Sequence, residues 1–249
     1  MWLNEKTSYL YDAALALLYP QGCAICGRSV EARIDGIACA DCWAATRIFS
    51  EDDSLCWKCG ALAPGKVAED RREQVRCRRC DDEHFTAARA CGGYEGALRA
   101  SVLALKREPN VSRRLAELLL ATQSRAPLNK ATLIIPLPLH PQRTRERGFN
   151  QAAILGRALA HLSGLPLDEW SVARQVHTER HRAGMDVRAR RETVAGAFKV
   201  ERPRLVEGER ILLIDDVFTT GATVSACAFA LKEAGATDVF VLTVARPVG

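Results

Sequence analysis

The chain has 249 residues, 48% of them apolar, and a formal net charge of +5 from 35 basic and 30 acidic side chains. That length and apolar content suffice for a proper core and allow either one large domain or a medium domain beside a small module. No apolar run reaches the length of a membrane span, and the modest charge leaves polyanions and phosphorylated small molecules both open as partners.

The first apolar stretch, residues 10–18, contains Asp12 and runs into Pro20 without a small-residue cleavage site. It reads as part of an amphipathic helix over residues 6–19, not as a secretory signal. A cytoplasmic location is therefore expected, where paired thiols stay reduced and hold metal more often than they form disulfides.

Eight of the ten cysteines fall before residue 81, as four Cys-x-x-Cys pairs. Cys23 and Cys26 precede Cys39 and Cys42 by twelve residues, and Cys56 and Cys59 precede Cys77 and Cys80 by seventeen. Each set has the spacing of a four-thiolate zinc site, and Gly27 and Gly60 follow the leading pairs where a tight turn aims N–H groups at sulfur. Two structural zinc ions are expected. Sequential pairing of the ligand sets is preferred, with an interleaved arrangement and a disulfide or redox framework as alternatives. So few apolar residues separate the pairs that metal binding would supply much of this segment's folding free energy. Cys91 and Cys227 lie outside the pattern, and Cys227 sits on the apolar face of a predicted helix as an inert thiol.

Beyond the cysteines, residues 94–106 and 111–124 have helical spacing. Residues 133–137 read as a short buried strand that feeds a proline- and arginine-rich loop, residues 138–148, and then a helix from Phe149. The loop leaves the carboxyl end of a strand, where Arg143, Arg145 and Arg147 with Gly148 and Asn150 would suit a pyrophosphate; a solvated surface turn is the alternative. His140, between prolines, reads more readily as a local hydrogen-bonding residue than as an acid or base.

The most specific stretch is residues 211–223. Ile211, Leu212, Leu213 and Ile214 read as a buried parallel strand. It ends in Asp215 and Asp216, followed by Val217, Phe218, Thr219, Thr220, Gly221, Ala222 and Thr223, and then by a pattern with the period of a helix. Backbone N–H groups at that helix's N-terminus can hold a phosphate, small residues let the anion approach, and the threonines add hydroxyl donors. The two carboxylates are placed to accept from sugar hydroxyls or to orient a hydrated magnesium ion. A turn in which Asp and Thr serve only as caps is the alternative. No G-x-x-x-x-G-K-[ST] or G-x-G-x-x-G occurs.

Residues 211–223 closely resemble the phosphoribosyl pyrophosphate (PRPP) motif of the type I phosphoribosyltransferases. The run Ile-Pro-Leu-Pro-Leu-His-Pro-Gln-Arg-Thr-Arg-Glu-Arg-Gly-Phe-Asn-Gln over residues 135–151 resembles the signature of the ComF family, competence-related proteins that join a zinc ribbon to a phosphoribosyltransferase-like domain. Together with the cysteine pairs the resemblance covers nearly the whole chain. It implies an α/β type I phosphoribosyltransferase fold with parallel sheet and flanking helices over residues 85–249, a double zinc ribbon over 20–84, and the helix at 1–19. It implies that Asp215 and Asp216 contact the ribose, that residues 217–223 bind the 5′-phosphate, and that His140, Arg143, Arg145, Arg147, Gly148, Asn150 and Gln151 form the pyrophosphate loop. Residues 174–200 resemble the family's mobile loop and following strand, keeping Arg190, Arg191, Gly196, Ala197 and Phe198 but departing at His181 and Thr193. A role in covering the ligand is expected of that segment.

Three functions follow. One is transfer of phosphoribosyl from PRPP, with magnesium, to an unknown acceptor; the second is PRPP sensing without turnover, since no side chain stands out as a general base. The third is DNA handling in uptake or recombination, with single-stranded DNA or uptake proteins as partners and Trp57, Arg78 and Arg79 as contacts, although few aromatics interleave the arginines. Only five residues follow the last predicted strand, residues 238–244, so a cover for the acceptor is expected from the first ninety residues, and the zinc module is the candidate.

Overall fold

The computed structural model describes residues 21–65, 67–175 and 196–248. The expected helix at 6–19 and the segment holding His181, Arg190, Arg191 and Thr193 lie outside the described residues. Among those described, no helix is long and apolar enough to cross a membrane.

The frame is a four-stranded, wholly parallel sheet made of β1 (Ala87–Gly93), β2 (Leu133–Pro136), β5 (Arg210–Val217) and β6 (Asp238–Arg246), in the order β1-β6-β5-β2. A short antiparallel pair, β3 (Val172–Arg174) with β4 (Phe198–Val200), stands apart, and a short helix, α1 (Ala40–Ala44), lies among the cysteines. Parallel strands need both faces covered, and β5 shows how the sequence meets that need. Ile211 and Leu213 point to one layer, where they meet Cys227, Ala228 and Leu231 of α6 (Ala222–Glu233). Leu212 and Ile214 point to the other, against Leu98 of α2 (Gly96–Leu105), Leu119 of α3 (Arg113–Gln123) and Leu155 of α5 (Gln151–Ser163). The period-two alternation of a strand thus divides one apolar run between two helix layers.

Helix ends follow capping chemistry. The Ser112 side chain accepts from Leu115 N at 3.3 Å, and Asn150 Oδ1 accepts from Ala152 N at 3.0 Å. The stretch expected as an open loop after β2 departs from expectation, because it forms α4 (Pro141–Arg147). Pro141 stands at the first helical position, the His140 ring accepts from Gln142 N, and Gly148 closes the helix at φ 82°. The strand expected at 211–214 also runs further, through Val217, so that both acids belong to β5 itself.

Connections after neighbouring strands leave to opposite faces. The helix α5, reached from β2 through α4, packs in the layer of Leu155, and α6, which follows β5, packs in the layer of Cys227. That divergence opens a crevice at the carboxyl ends of β2 and β5, the place where sheets of this kind bind ligands.

Candidate functional site

The eight paired cysteines gather as two sets, Cys23, Cys26, Cys39 and Cys42 in one and Cys56, Cys59, Cys77 and Cys80 in the other, which is the sequential pairing. Closest Sγ to Sγ distances are 3.6 and 3.7 Å in the first set and 3.4 to 3.7 Å in the second. A tetrahedron with Zn–S of about 2.3 Å has edges of about 3.8 Å, so both sets fit zinc and leave no position open for chemistry. The knuckles repeat one another bond for bond. Cys23 N donates to Arg28 O and Gly27 N to Cys23 O, as Cys56 N donates to Ala61 O and Gly60 N to Cys56 O. Gly27 and Gly60 take the left-handed conformation at φ 75° and 68° that their position in the turn demands. Cys91 and Cys227 are fully buried and apart from both sets, and burial pushes both thiols up, which suits inert side chains.

The second knuckle is bonded to the sheet through three consecutive carbonyls. Trp57 O accepts from Arg89 Nη1 at 2.9 Å, Lys58 O from Ala88 N at 2.6 Å, and Cys59 O from Arg246 Nη1 at 2.5 Å. Trp57 is half-buried with the Arg89 guanidinium 5.1 Å from its ring centroid. Arg78 and Arg79 are exposed.

At the carboxyl end of β5, Asp215 and Asp216 are half-buried, and Asp216 N donates to Asp215 Oδ1 at 2.8 Å. Burial first, and the adjoining Asp216 carboxylate second, push the Asp215 carboxyl up to about 8, with Lys106 and Arg174 acting against that rise. Lys106, just past α2, lies 3.6 Å from Asp216 Oδ2. Beyond the acids, Gly221 caps α6 at φ 83°, Ala222 N donates to Thr220 Oγ1 at 3.4 Å, and Thr219, Thr220 and Thr223 keep solvent contact. Ala222 and Thr223 are therefore first-turn helix residues, with N–H groups that have no partner within the helix. The Phe218 side chain packs beneath the Gly221 turn and into the ribbon interface, edge-on to Phe85 at 5.8 Å, and its N–H is taken by Ala245 O.

Across the crevice, Leu137 N donates to Ile214 O at 2.8 Å, so the segment after β2 starts beside the acid pair. On α4, Arg143 and Arg147 share a face at i and i+4, whereas Arg145 lies on the other side; the three arginines do not converge as an open loop would allow. Asn150 is held by its cap and by donation from Nδ2 to Leu137 O at 3.0 Å. Gln151 is only 3% exposed, and its Nε2 has no hydrogen-bond partner among the described residues. Burial pushes Arg174 of β3 down, Arg143 adds to that shift and Asp215 opposes it, so all three side chains share one field.

Lys106 and Arg174 were not predicted from sequence. Lys106 sits in no motif, Arg174 opens the segment expected to cover the ligand without a role of its own there, and only the fold brings the ends of α2 and β3 to the acid pair. A cavity of about 550 Å³ was likewise not foreseen: Arg79, Asp82 and Glu83 of the ribbon form one wall, and Phe218, Thr219 and Thr220 another.

Paired four-thiolate ribbons against a parallel sheet flanked by helices, with an acid-tipped strand, define a double zinc ribbon protein with an α/β domain. A sequence profile of the double zinc ribbon domain matches residues 14–81. A protein named "DNA utilization protein YhgH" from Shigella flexneri is 30% identical over 238 residues, 92% of this chain and 99% of that one. "Competence protein F" from Haemophilus influenzae is 35% identical over 118 residues, 45% of this chain and 49% of the other. Among solved structures, a purine phosphoribosyltransferase from Pyrococcus horikoshii aligns with 60% of this chain and 82% of its own at 17% identity and a TM-score of 0.31. The chain belongs to the ComF family.

Proposed function

We propose that the chain binds PRPP across the crevice between β2 and β5 and transfers its phosphoribosyl group to an acceptor with release of pyrophosphate. One observation carries this reading: Asp215 and Asp216 lie at the carboxyl end of β5, one turn of chain before the Gly221-capped start of α6, with the segment after Leu137 alongside. Backbone N–H groups at the start of α6, with Thr219, Thr220 and Thr223, hold the 5′-phosphate. Asp215 and Asp216 accept from the ribose hydroxyls. Arg143 and Arg147 face the pyrophosphate, and Lys106 balances Asp216 until ligand arrives. Magnesium, when bound, supplies charge neutralisation on the pyrophosphate, and the oxygens of the acid pair are suitable donors for it. In the transfer, the bond from ribose C1 to a pyrophosphate oxygen breaks and its electron pair leaves with pyrophosphate, while the acceptor's lone pair bonds to C1. Positive charge developing on the ribose is complemented by the acid pair, and the leaving charge by the arginines. The second ribbon covers the acceptor, a role supported by the cavity it shares with Thr219 and Thr220.

A second reading is contact with DNA phosphates through Arg78 and Arg79, favoured by their exposure and by the names of the relatives. Trp57 adds little to it, because its ring is already occupied by Arg89. Pyrophosphate release from PRPP across a panel of nucleobases and amines tests the proposal. Release that stops on Asp215→Asn with Asp216→Asn supports transfer. PRPP binding without release from any acceptor reduces the protein to a sensor, and salt-dependent DNA binding that survives the double change, with no PRPP affinity in the parent, replaces the proposal with the second reading.

A further inference from the structure

A zinc ion held by four thiolates carries a net double negative charge. Burying such a centre against an apolar core is unfavourable unless cations accompany it. Two do so at the second ribbon. Arg89 of β1 is 9% exposed, and Arg246 ends β6. Each arginine donates to a carbonyl of the 56–59 knuckle. Two guanidinium charges therefore match the two net charges of the metal centre.

The two arginines differ in what lies behind them. Arg89 stacks on Trp57, within the ribbon itself. Arg246 stacks on Phe218, its guanidinium carbon 5.3 Å from the ring centroid. Phe218 is the first residue past β5, is 6% exposed, and is clamped edge-on by Phe85. Its ring fills the space beneath Gly221, where a Cβ would come within 2.8 Å of Phe218 Cζ. Gly221 is the cap at which the cradle turns into α6. An unbroken line of contacts thus runs from the second metal centre through Cys59 O, Arg246 and the Phe218 ring to the turn that presents the N–H groups of α6.

We infer that Arg246 and Phe218 are positioning residues that couple metal loading of the second ribbon to the shape of the 218–223 cradle, so that this zinc site and the phosphate site bind their ligands cooperatively. The inference rests on the reading of that cradle as the site for the 5′-phosphate of PRPP. Removing Arg246 leaves the centre one positive charge short and frees the Phe218 ring, which loosens the turn. Reciprocity of coupling requires that PRPP raise zinc affinity at the second site by the factor by which zinc raises PRPP affinity. Among the described residues the first ribbon's line leads elsewhere: Thr46 Oγ1 donates to Cys42 O and accepts from Ala97 N at the start of α2, while Arg28, near Cys26, pairs with Asp41 in solvent, with its side chain 66% exposed.

The test uses the full zinc-loaded chain and Arg246→Met, with Arg28→Met as control. Three quantities are read: amide hydrogen exchange over 218–223, the rate at which a chelator removes each zinc, and PRPP affinity with magnesium. In Arg246→Met the cradle should exchange roughly tenfold faster, one zinc should leave roughly tenfold faster, and PRPP should bind roughly tenfold more weakly, inside the usual range of coupling between sites. Arg28→Met should leave cradle exchange, PRPP affinity and the loss of the second zinc unchanged, whatever it does to the first. If Arg246→Met loses the second zinc outright, Phe218→Leu decides, since it changes neither a metal ligand nor a charge: faster cradle exchange and weaker PRPP binding at full zinc content support the coupling. Cradle exchange and PRPP affinity within twofold of the parent in Phe218→Leu, or in a zinc-loaded Arg246→Met, overturn it. Should the parent bind no PRPP, the reading of the cradle fails, while the exchange and zinc-loss arms still decide whether metal centre and cradle are coupled.

Discussion

The two ribbons share a knuckle and differ in what holds it. The first packs in the layer of α2 and α3: Trp43 Nε1 donates to Asp35 O at 2.9 Å, and Arg114 of α3 bonds Asp35 Oδ1 at 2.7 Å while lying over the Trp43 ring. Its own knuckle is not bonded to the sheet in any described hydrogen bond, and a cavity of about 740 Å³ separates Ala24 and Ile25 from Arg99 and Leu103 of α2. The second packs in the layer of α6, with the three carbonyls of Trp57, Lys58 and Cys59 all taken by donors of β1 and β6. A repeated metal motif has become a peripheral brace in one copy and part of the site wall in the other. What separates them is long-range donors, not the cysteines.

Metal loss should break that comparison most visibly. Cys80→Ser, at a buried ligand, strips the second centre and leaves Arg89 and Arg246 buried without their counter-charge. We expect destabilisation upward of about 5 kcal/mol, or no folded protein. Cys26→Ser, at an exposed ligand, should lose one zinc and keep a cooperative melt of the sheet. Circular dichroism melts with metal analysis check both, and equal losses in the two variants would erase the asymmetry.

The two knuckle glycines sharpen it. A Cβ at Gly60 would lie 2.5 Å from Ala88 O, whereas at Gly27 nothing lies within 4 Å. Both positions have positive φ, so each alanine pays the left-handed cost of about 1 kcal/mol, and Gly60→Ala adds a backbone collision for about 3 kcal/mol in total. Urea titration reads the difference directly. Identical midpoints would mean that the second knuckle is not seated on β1.

A pH-dependent effect belongs to Asp215, on the site side of the second ribbon. Its carboxyl, pushed up to about 8, holds its proton more firmly folded than unfolded, where the pKa is about 4. The stability it contributes is full below about pH 4 and is lost as the pH rises through about 8. Asp215→Asn cannot ionise, so its stability relative to the parent should grow across that window and level off above it. A gap that stays flat with pH, measured by chemical unfolding at several pH values, would contradict a desolvated carboxyl.

What was legible in the sequence was local. Cysteine spacing gave both thiolate sets, and the apolar run ending in Asp215 and Asp216 gave the central strand, because each signal lies within a few residues of its partner. The helix α4 was legible in principle from Pro141 and Gly148, but the density of arginine and proline around them reads as a loop. The i, i+4 relation that separates Arg145 from Arg143 and Arg147 was lost with it. Lys106 and Arg246 carried no signal, and Arg174 only that of the segment it opens, since a lone cation at the end of a helix or strand acquires meaning only from elements that fold against it. The same holds for Phe218, which sits inside the cradle motif and serves the ribbon interface.

The central claim is that the end of β5 binds PRPP, and calorimetric titration of the zinc-loaded chain with PRPP and magnesium tests it most directly. Saturable binding at one site per chain is expected, abolished by Asp215→Asn with Asp216→Asn while the zinc content stays at two per chain. No heat of binding in the parent, or the same affinity in the double variant, would contradict it.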